Sequence, residues 1–153
     1  MFCRFPYRIP FSETDAMAIV HHSNHAKYLE RGRVEFLRLI GLDYLAMTKN
    51  GMHFPLTEMH CKFRRPLVFD DIIMVETKIE KLSKTRLTFS YKIFKQEQLD
   101  GASMSLAPIE GKEYVSGSTE HCCVNNEGRP QEMSDAVYQK LNAFYSGQKN
   151  DHD

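Results

Sequence analysis

Residues 26–40, A-K-Y-L-E-R-G-R-V-E-F-L-R-L-I, carry the period of a helix that must be covered along one side. Tyr28, Leu29, Gly32, Phe36, Leu39 and Ile40 fall within an arc of roughly 120°, and Glu30, Arg31 and Arg38 lie opposite. Gly32 costs about 1 kcal/mol of helix propensity relative to alanine, and its place inside the apolar arc implies that another backbone comes close there. Ser23 or Asn24 is placed to cap the start of this helix, and Gly41 to end it.

The cover for that arc has to come from strands, because most of the chain after Gly51 has their texture. Residues 52–64 carry Phe54, Leu56, Met59, Cys61 and Phe63 up to an Arg64-Arg65-Pro66 break, and residues 72–80, I-I-M-V-E-T-K-I-E, form a second run. In R-L-T-F-S-Y-K-I-F, residues 86–94, Leu87, Phe89, Tyr91 and Ile93 occupy one face and Thr88, Ser90 and Lys92 the other. That alternation is the mark of an antiparallel strand with one buried face. A fourth run spans residues 113–124 and is expected to pair with the third. The first ten residues add a short strand, interrupted by Arg4, Tyr7 and Pro10. The connection 96–112 is too long for a hairpin turn and reads as a mobile flap. After a turn at residues 125–130, Ser134 can cap a last helix carrying Val137, Leu141 and Phe144, with Tyr138 and Tyr145 adjoining. The predicted class is α+β: one long helix on an antiparallel sheet of about five strands that curls around it, plus a C-terminal helix. A chain of 153 residues fits one domain, expected over residues 1–146, with a frayed tail at 147–153.

Composition removes several functions. Twenty basic and twenty acidic residues cancel, and no block of like charge offers a footprint for nucleic acid or a membrane surface. The start, M-F-C-R-F-P-Y-R-I-P, lacks the apolar run of a signal peptide, and no later run approaches spanning length, so a cytoplasmic protein without membrane insertion is expected. Cys3, Cys61, Cys122 and Cys123 form no C-x-x-C and read as reduced thiols.

The chemistry is concentrated in F-S-E-T-D-A-M-A-I-V-H-H-S-N-H, residues 11–25, just before the long helix. Three readings compete. His21, His22 and His25 have helical spacing and could hold a metal with Glu13 or Asp15, yet H-E-x-x-H is absent and no Cys/His pair has zinc spacing. More plainly, Thr14 and Asp15 shape a turn, Ile19 and Val20 anchor it, and the histidines only flank a helix start. In the third reading the Asp15 carboxylate faces free backbone N–H groups near His22 and Ser23, where the helix dipole favours negative charge. That pairs a nucleophile or base with an oxyanion site, as acyl transfer requires, and each preorganised donor can be worth about 3 kcal/mol.

The run T-D-A-M-A-I-V-H-H-S-N-H-A-K-Y-L-E-R-G-R-V-E-F-L-R-L-I-G closely resembles the hotdog-fold thioesterases of the 4-hydroxybenzoyl-CoA type, particularly the bacterial Tol-Pal-associated acyl-CoA thioesterases. Their motif reads approximately D-T-D-x-x-G-V-V-Y-H-x-N-Y, followed by a helix with E-x-x-R-x-E. The resemblance continues through F-R-R-P-L-V-F-D-D, R-L-T-F-S-Y-K-I, G-S-T-E-H-C-C-V and E-G-R-P, and so covers most of the chain. It implies a hotdog fold, in which the sheet wraps the central helix, and hydrolysis of an acyl-CoA or acyl-carrier thioester. It also implies homodimers or homotetramers joined at sheet edges, with the site at a subunit interface. An alternative is a noncatalytic hotdog protein that binds acyl-CoA or an acyl carrier. No metal and no cofactor are expected.

On this resemblance Asp15 is the essential carboxylate, His22 the residue whose N–H faces the thioester oxygen, and Ser23 its neighbour on the substrate. The His22 imidazole is expected to orient substrate or protonate the leaving thiolate. The phosphates of CoA call for basic residues, for which Lys62, Arg64, Arg65, Lys84 and Arg86 are candidates. Glu30 and Glu35 read as ion-pair partners of Arg33 or Arg38. Three departures concern the loop and acyl pocket: Ala18 replaces a usual glycine, Phe11 a tyrosine, and His25 another tyrosine. If position 18 needs a positive φ, the loop is expected to shift.

Overall fold

The computed structural model describes residues 1–149, with the backbone alone for 146–149. A strand β1 (Phe2–Arg8) and a 3₁₀ turn (Phe11–Glu13) lead into α1 (Ser23–Leu39) and a short helix α2 (Tyr44–Lys49). Then come β2 (Leu56–Phe63), β3 (Ile72–Leu82), β4 (Arg86–Gln96), β5 (Ser103–Ser105), β6 (Val115–Cys122) and α3 (Asp135–Lys149). Residues 150–153 of the expected tail lie outside the described residues.

One antiparallel sheet in the order β2-β6-β4-β3-β1-β5 curls around α1, the hotdog-like α+β arrangement expected from the sequence. The third and fourth strand runs pair as expected, as β4 with β6. The sheet has six strands and not five, because the connection after β4 contributes β5, which adds to β1. That connection is docked: Arg4 Nη2 donates to the Ala107 carbonyl at 2.9 Å, and the Ile109 N–H donates to Glu76 Oε2 at 2.6 Å. Glu76 is thereby covered, and burial pushes its carboxyl up from the ordinary range.

The inner face of β4 is the one read from its alternation: Leu87, Phe89, Tyr91 and Ile93 are buried. They meet Tyr28, Leu29, Gly32 and Phe36 of α1 in one core, with the Phe36 and Phe89 rings edge to face at 5.7 Å. Gly32 marks the closest approach of helix and sheet. A Cβ there would lie 2.6 Å from Thr77 Oγ1 and 2.8 Å from Val75 Cγ1 on β3. At the other end of the arc Leu39 is exposed and Leu37 is buried, since Leu42, Met47, Phe54, Val137 and Leu141 cover that flank. Gly41 ends the helix at φ +81°, and Ser134 Oγ caps α3 through the Val137 N–H. Neither Ser23 nor Asn24 caps α1; the cap position is His22, one residue earlier.

A short polar chain crosses this apolar interior. His121 is fully buried; its Nδ1 faces the Phe54 carbonyl at 3.1 Å and its Nε2 the Thr119 hydroxyl at 2.9 Å. Thr119 in turn meets the Tyr91 hydroxyl at 2.6 Å. A neutral imidazole satisfies both partners, with Nδ1–H donating and Nε2 accepting. Burial, reinforced by the Arg33 charge, pushes the His121 imidazolium down to about 4.

This packing makes two measurable differences. Gly32→Ala improves helix propensity yet should cost about 1–2 kcal/mol net in urea unfolding, because two β-branched side chains occupy the space of the added methyl. For His121, the unfolded chain takes up its proton near pH 6.5 and the folded chain only near 4. Its contribution to stability is therefore complete above that window and is lost as the pH falls through it. Unfolding free energies at pH 7 and pH 4.5 should diverge less in His121→Gln than in the unmodified chain.

Candidate active site

The sequence between β1 and α1 has to carry the chain across one end of the sheet, and it does so as a tight doubled-back loop. Thr14 and Val20 bridge as antiparallel partners, the Asp15 N–H donates to the Ile19 carbonyl at 2.8 Å, and the Ala18 N–H donates to the Asp15 carbonyl at 2.9 Å. The Asp15 side chain stands at the surface of this loop, and its Oδ1 accepts the N–H groups of Met17 at 2.8 Å and Ile19 at 3.3 Å. This Asx-type turn fixes the carboxylate to its own loop. Oδ2 has no protein donor among the described residues and keeps its lone pairs for another partner.

At the helix start, the Ser23 N–H and hydroxyl both turn to His21 Nδ1, at 3.3 Å and 2.8 Å. The Asn24 and His25 N–H groups donate to the carbonyls of His21 and His22. The His21 ring, one residue before the cap position, thus takes the first helical N–H, and Ser23 does not present a free amide. The His22 N–H has no acceptor among the described residues. It lies where the partial positive charge of the helix end is strongest.

Asp15, His22 and Arg64, three of the expected site residues, come together around one cleft of about 340 Å³. Its walls include Ile19, Val20, His25, Phe63 and Arg65, and its polar side chains are three histidine rings, one carboxylate and two guanidinium groups. Arg64 Nε pairs with Glu113 Oε2 at 3.4 Å and Arg65 Nη1 donates to the Glu113 carbonyl at 2.6 Å, which holds both at the rim. The other basic candidates are elsewhere. Lys62 alternates with Phe63 and faces the outer side of the sheet with His60, Ser116 and Ser118. Arg86 pairs with Glu120 at the far end of β4, about 20 Å of strand from the cleft, and Lys84 precedes it in the β3–β4 turn. Among the described residues no group of three His, Cys, Asp or Glu side chains converges as a metal site would require.

The fold is that of a known group. The sequence matches the thioesterase-like superfamily over residues 9–141. The chain belongs to that superfamily. A protein of Aquifex aeolicus is 38% identical over 119 residues, which span 78% of this chain and 82% of its own length. The acyl-CoA thioester hydrolase YbgC of Escherichia coli O6:H1 is 29% identical over 94 residues, 61% of this chain and 70% of that one. Among solved structures, a protein of Thermus thermophilus superposes with a TM-score of 0.80 at 30% identity, covering 94% of this chain and 98% of its own. The DHNA-CoA thioesterase of Staphylococcus aureus superposes at 0.83 with 21% identity, over 99% and 95% of the two chains, and so shares the fold.

In this thioesterase-like chain the surroundings of Asp15 hold two residues, His25 and Glu13, that the sequence offered only as metal-ligand candidates or loop variants and not as members of an acyl-transfer site. His25 is buried in the cleft wall, its ring edge-on to Phe63 at 4.8 Å and its Nδ1 3.3 Å from the His22 carbonyl. Burial pushes its imidazolium down, so the ring is neutral at pH 7. The spacing of His22 and His25 by three was a usable signal, since it puts both on one helix face. Glu13 sits beneath the loop and accepts the hydroxyls of Tyr7 and Tyr28, each at 2.6 Å. No local pattern pointed to that trio.

Position 18 shows what the missing glycine does to the loop. Ala18 takes φ +59°, so the loop keeps the left-handed turn and accepts the strain. A left-handed alanine costs roughly 1–2 kcal/mol and a glycine about 0.5–1 kcal/mol in chain entropy. Ala18→Gly should therefore raise the melting temperature slightly, by the equivalent of about 0.5–1 kcal/mol, without moving the loop.

Proposed function

We propose that this chain hydrolyses an acyl-CoA thioester to the free acid and the CoA thiol, and that Asp15 and the start of α1 form its reaction centre. The supporting observation is the juxtaposition of a carboxylate with one uncommitted oxygen and an unengaged His22 N–H around one cleft. A thioester carbonyl lying between them would meet Asp15 Oδ2, or a water that it activates, on one side. Its oxygen would meet the His22 N–H on the other, where developing negative charge is stabilised. The His22 ring, which lines the same cleft, would assist the departing thiolate, and Arg64 and Arg65 at the rim would meet phosphate groups. Acyl-CoA is the class named for the Escherichia coli relative. The proposal takes the chain as a relative of the Tol-Pal-associated enzymes of the 4-hydroxybenzoyl-CoA type, on the resemblance of its helix-start motif.

The same proposal includes a homodimer or homotetramer acting in the cytoplasm. β2 supports it: this edge strand is exposed along most of its length and bears Leu56, Met59 and Phe63, each at least 43% exposed. An open edge with apolar side chains favours pairing with a second copy. Lys62, Lys84 and Arg86, remote from their own cleft, would contact substrate only across such a boundary, and Ser23 only through groups not turned to His21. No helix among the described residues is long and apolar enough to cross a membrane.

Thiol release from a panel of short, long and aromatic acyl-CoA esters tests the reading. Asp15→Asn and Asp15→Ala should each lose at least about 1,000-fold in kcat while keeping the oligomer and melting temperature of the unmodified chain. An active Asp15→Ala enzyme overturns the assignment. Tight binding with no turnover by the unmodified chain would make it an acyl-CoA binding protein instead.

A further inference from the structure

Asp15 has a companion acid two residues earlier in a very different setting. Glu13 does not line the cleft. Its carboxylate accepts the Tyr7 hydroxyl from β1 on Oε1 and the Tyr28 hydroxyl from α1 on Oε2, both at 2.6 Å. Its main-chain carbonyl accepts the His21 N–H at 3.0 Å and the Asn24 side-chain amide at 2.9 Å. Four hydrogen bonds thus end on the oxygens of one residue: two come from rigid elements, and two from the chain that closes the loop and opens the helix.

These bonds form the base of the loop that carries Asp15. Above them stand the Thr14–Val20 bridge and the Asp15–Ile19 bond, with the Asp15 carboxylate at the tip. His22 comes directly after the residue whose N–H closes on Glu13. Both partners of the proposed reaction therefore hang from the same point, one on each side. Partly burying a carboxylate with two phenols costs desolvation, which an apolar side chain at this position would avoid. What the carboxylate adds is direction, because two donors from different elements fix both of its oxygens. The Arg31 guanidinium, 4.5 Å over the Tyr7 ring, places a balancing charge beside the group. Burial and then the Glu13 contact push the Tyr7 hydroxyl up to about 12, so it stays a donor across the working pH range.

We propose that Glu13 is the positioning residue of this site: tied to Tyr7 and Tyr28, it sets how far the Asp15 carboxylate stands from the His22 amide. This rests on the thioesterase reading. Near-attack geometry is sensitive enough that a misplacement of about 1 Å can cost about 100-fold.

The experiment compares Glu13→Ala, Glu13→Gln, Tyr7→Phe, Tyr28→Phe and the double tyrosine variant. It measures acyl-CoA turnover and amide hydrogen exchange over residues 14–21. Glu13→Ala should lower kcat by about 10- to 100-fold with little change in KM, and should speed exchange in that segment while β3 and β4 keep their protection. Glu13→Gln, which retains one acceptor and offers one donor, should recover most of the lost kcat. Each single tyrosine variant should fall between. Unchanged kcat in Glu13→Ala overturns the proposal, as does exchange that rises equally through the whole sheet. Should Glu13→Ala fail to fold, the double tyrosine variant decides in its place, and full kcat there overturns it. If the unmodified chain turns over no thioester, the functional reading fails, and the exchange comparison still decides whether Glu13 holds the loop.

Discussion

The structure depends on how closely one helix can lie on one sheet. A sheet that must cover most of a helix has to curl, and a curled sheet needs its helix near the bottom of the trough. At Gly32 the distance is set by the lack of a side chain, since Thr77 and Val75 already fill the place where a Cβ would be. With α1 seated there, Tyr28, Leu29 and Phe36 reach the inner faces of β3 and β4, and the start of α1 is fixed at one end of the sheet. The site inherits its geometry from that seat, because β1 and α1 are its two supports.

The loop between these supports carries two acids that are close in sequence and opposite in role. Glu13 is turned inward and saturated by phenols; Asp15 is turned outward and holds one oxygen in reserve. Environment, and not residue type, sets the two acids apart. The histidines divide likewise. His21 takes the first helical N–H on its ring, His25 is buried neutral in the cleft wall, and His22 sits between them at the cap position, where the chain's amide is unengaged.

Much of the architecture was legible because the hydrophobic pattern has to match the period of each element. The α1 arc except at Leu39, the β4 alternation, the pairing of β4 with β6 and the two helix signals at Gly41 and Ser134 survive in the structure. β5 was missed since three residues, S-M-S, carry no pattern of their own and form a strand only because β1 offers an open edge. α2 was missed because it has six residues and is held by the Asp43 cap and by packing under α1. The docked course of residues 106–109 depends on Glu76 and Arg4, which lie on strands far off in sequence.

For the site, the stretch from Glu13 to His25 was enough to locate the loop and the helix start and to set Asp15 beside them, since local order alone puts them side by side. Their partners were another matter. Arg64 reaches the cleft while Lys62 turns away, a difference that strand alternation and the end of β2 decide together. Arg86 and Lys84 fall at the opposite end of the sheet, which charge and position in the sequence do not reveal. Glu13 meets Tyr7 and Tyr28 only when a strand and a helix are folded against each other. Periodicity and local order are properties of a segment and can be read from it. The direction in which a side chain finds its partner is a property of packing, and only the folded chain supplies it.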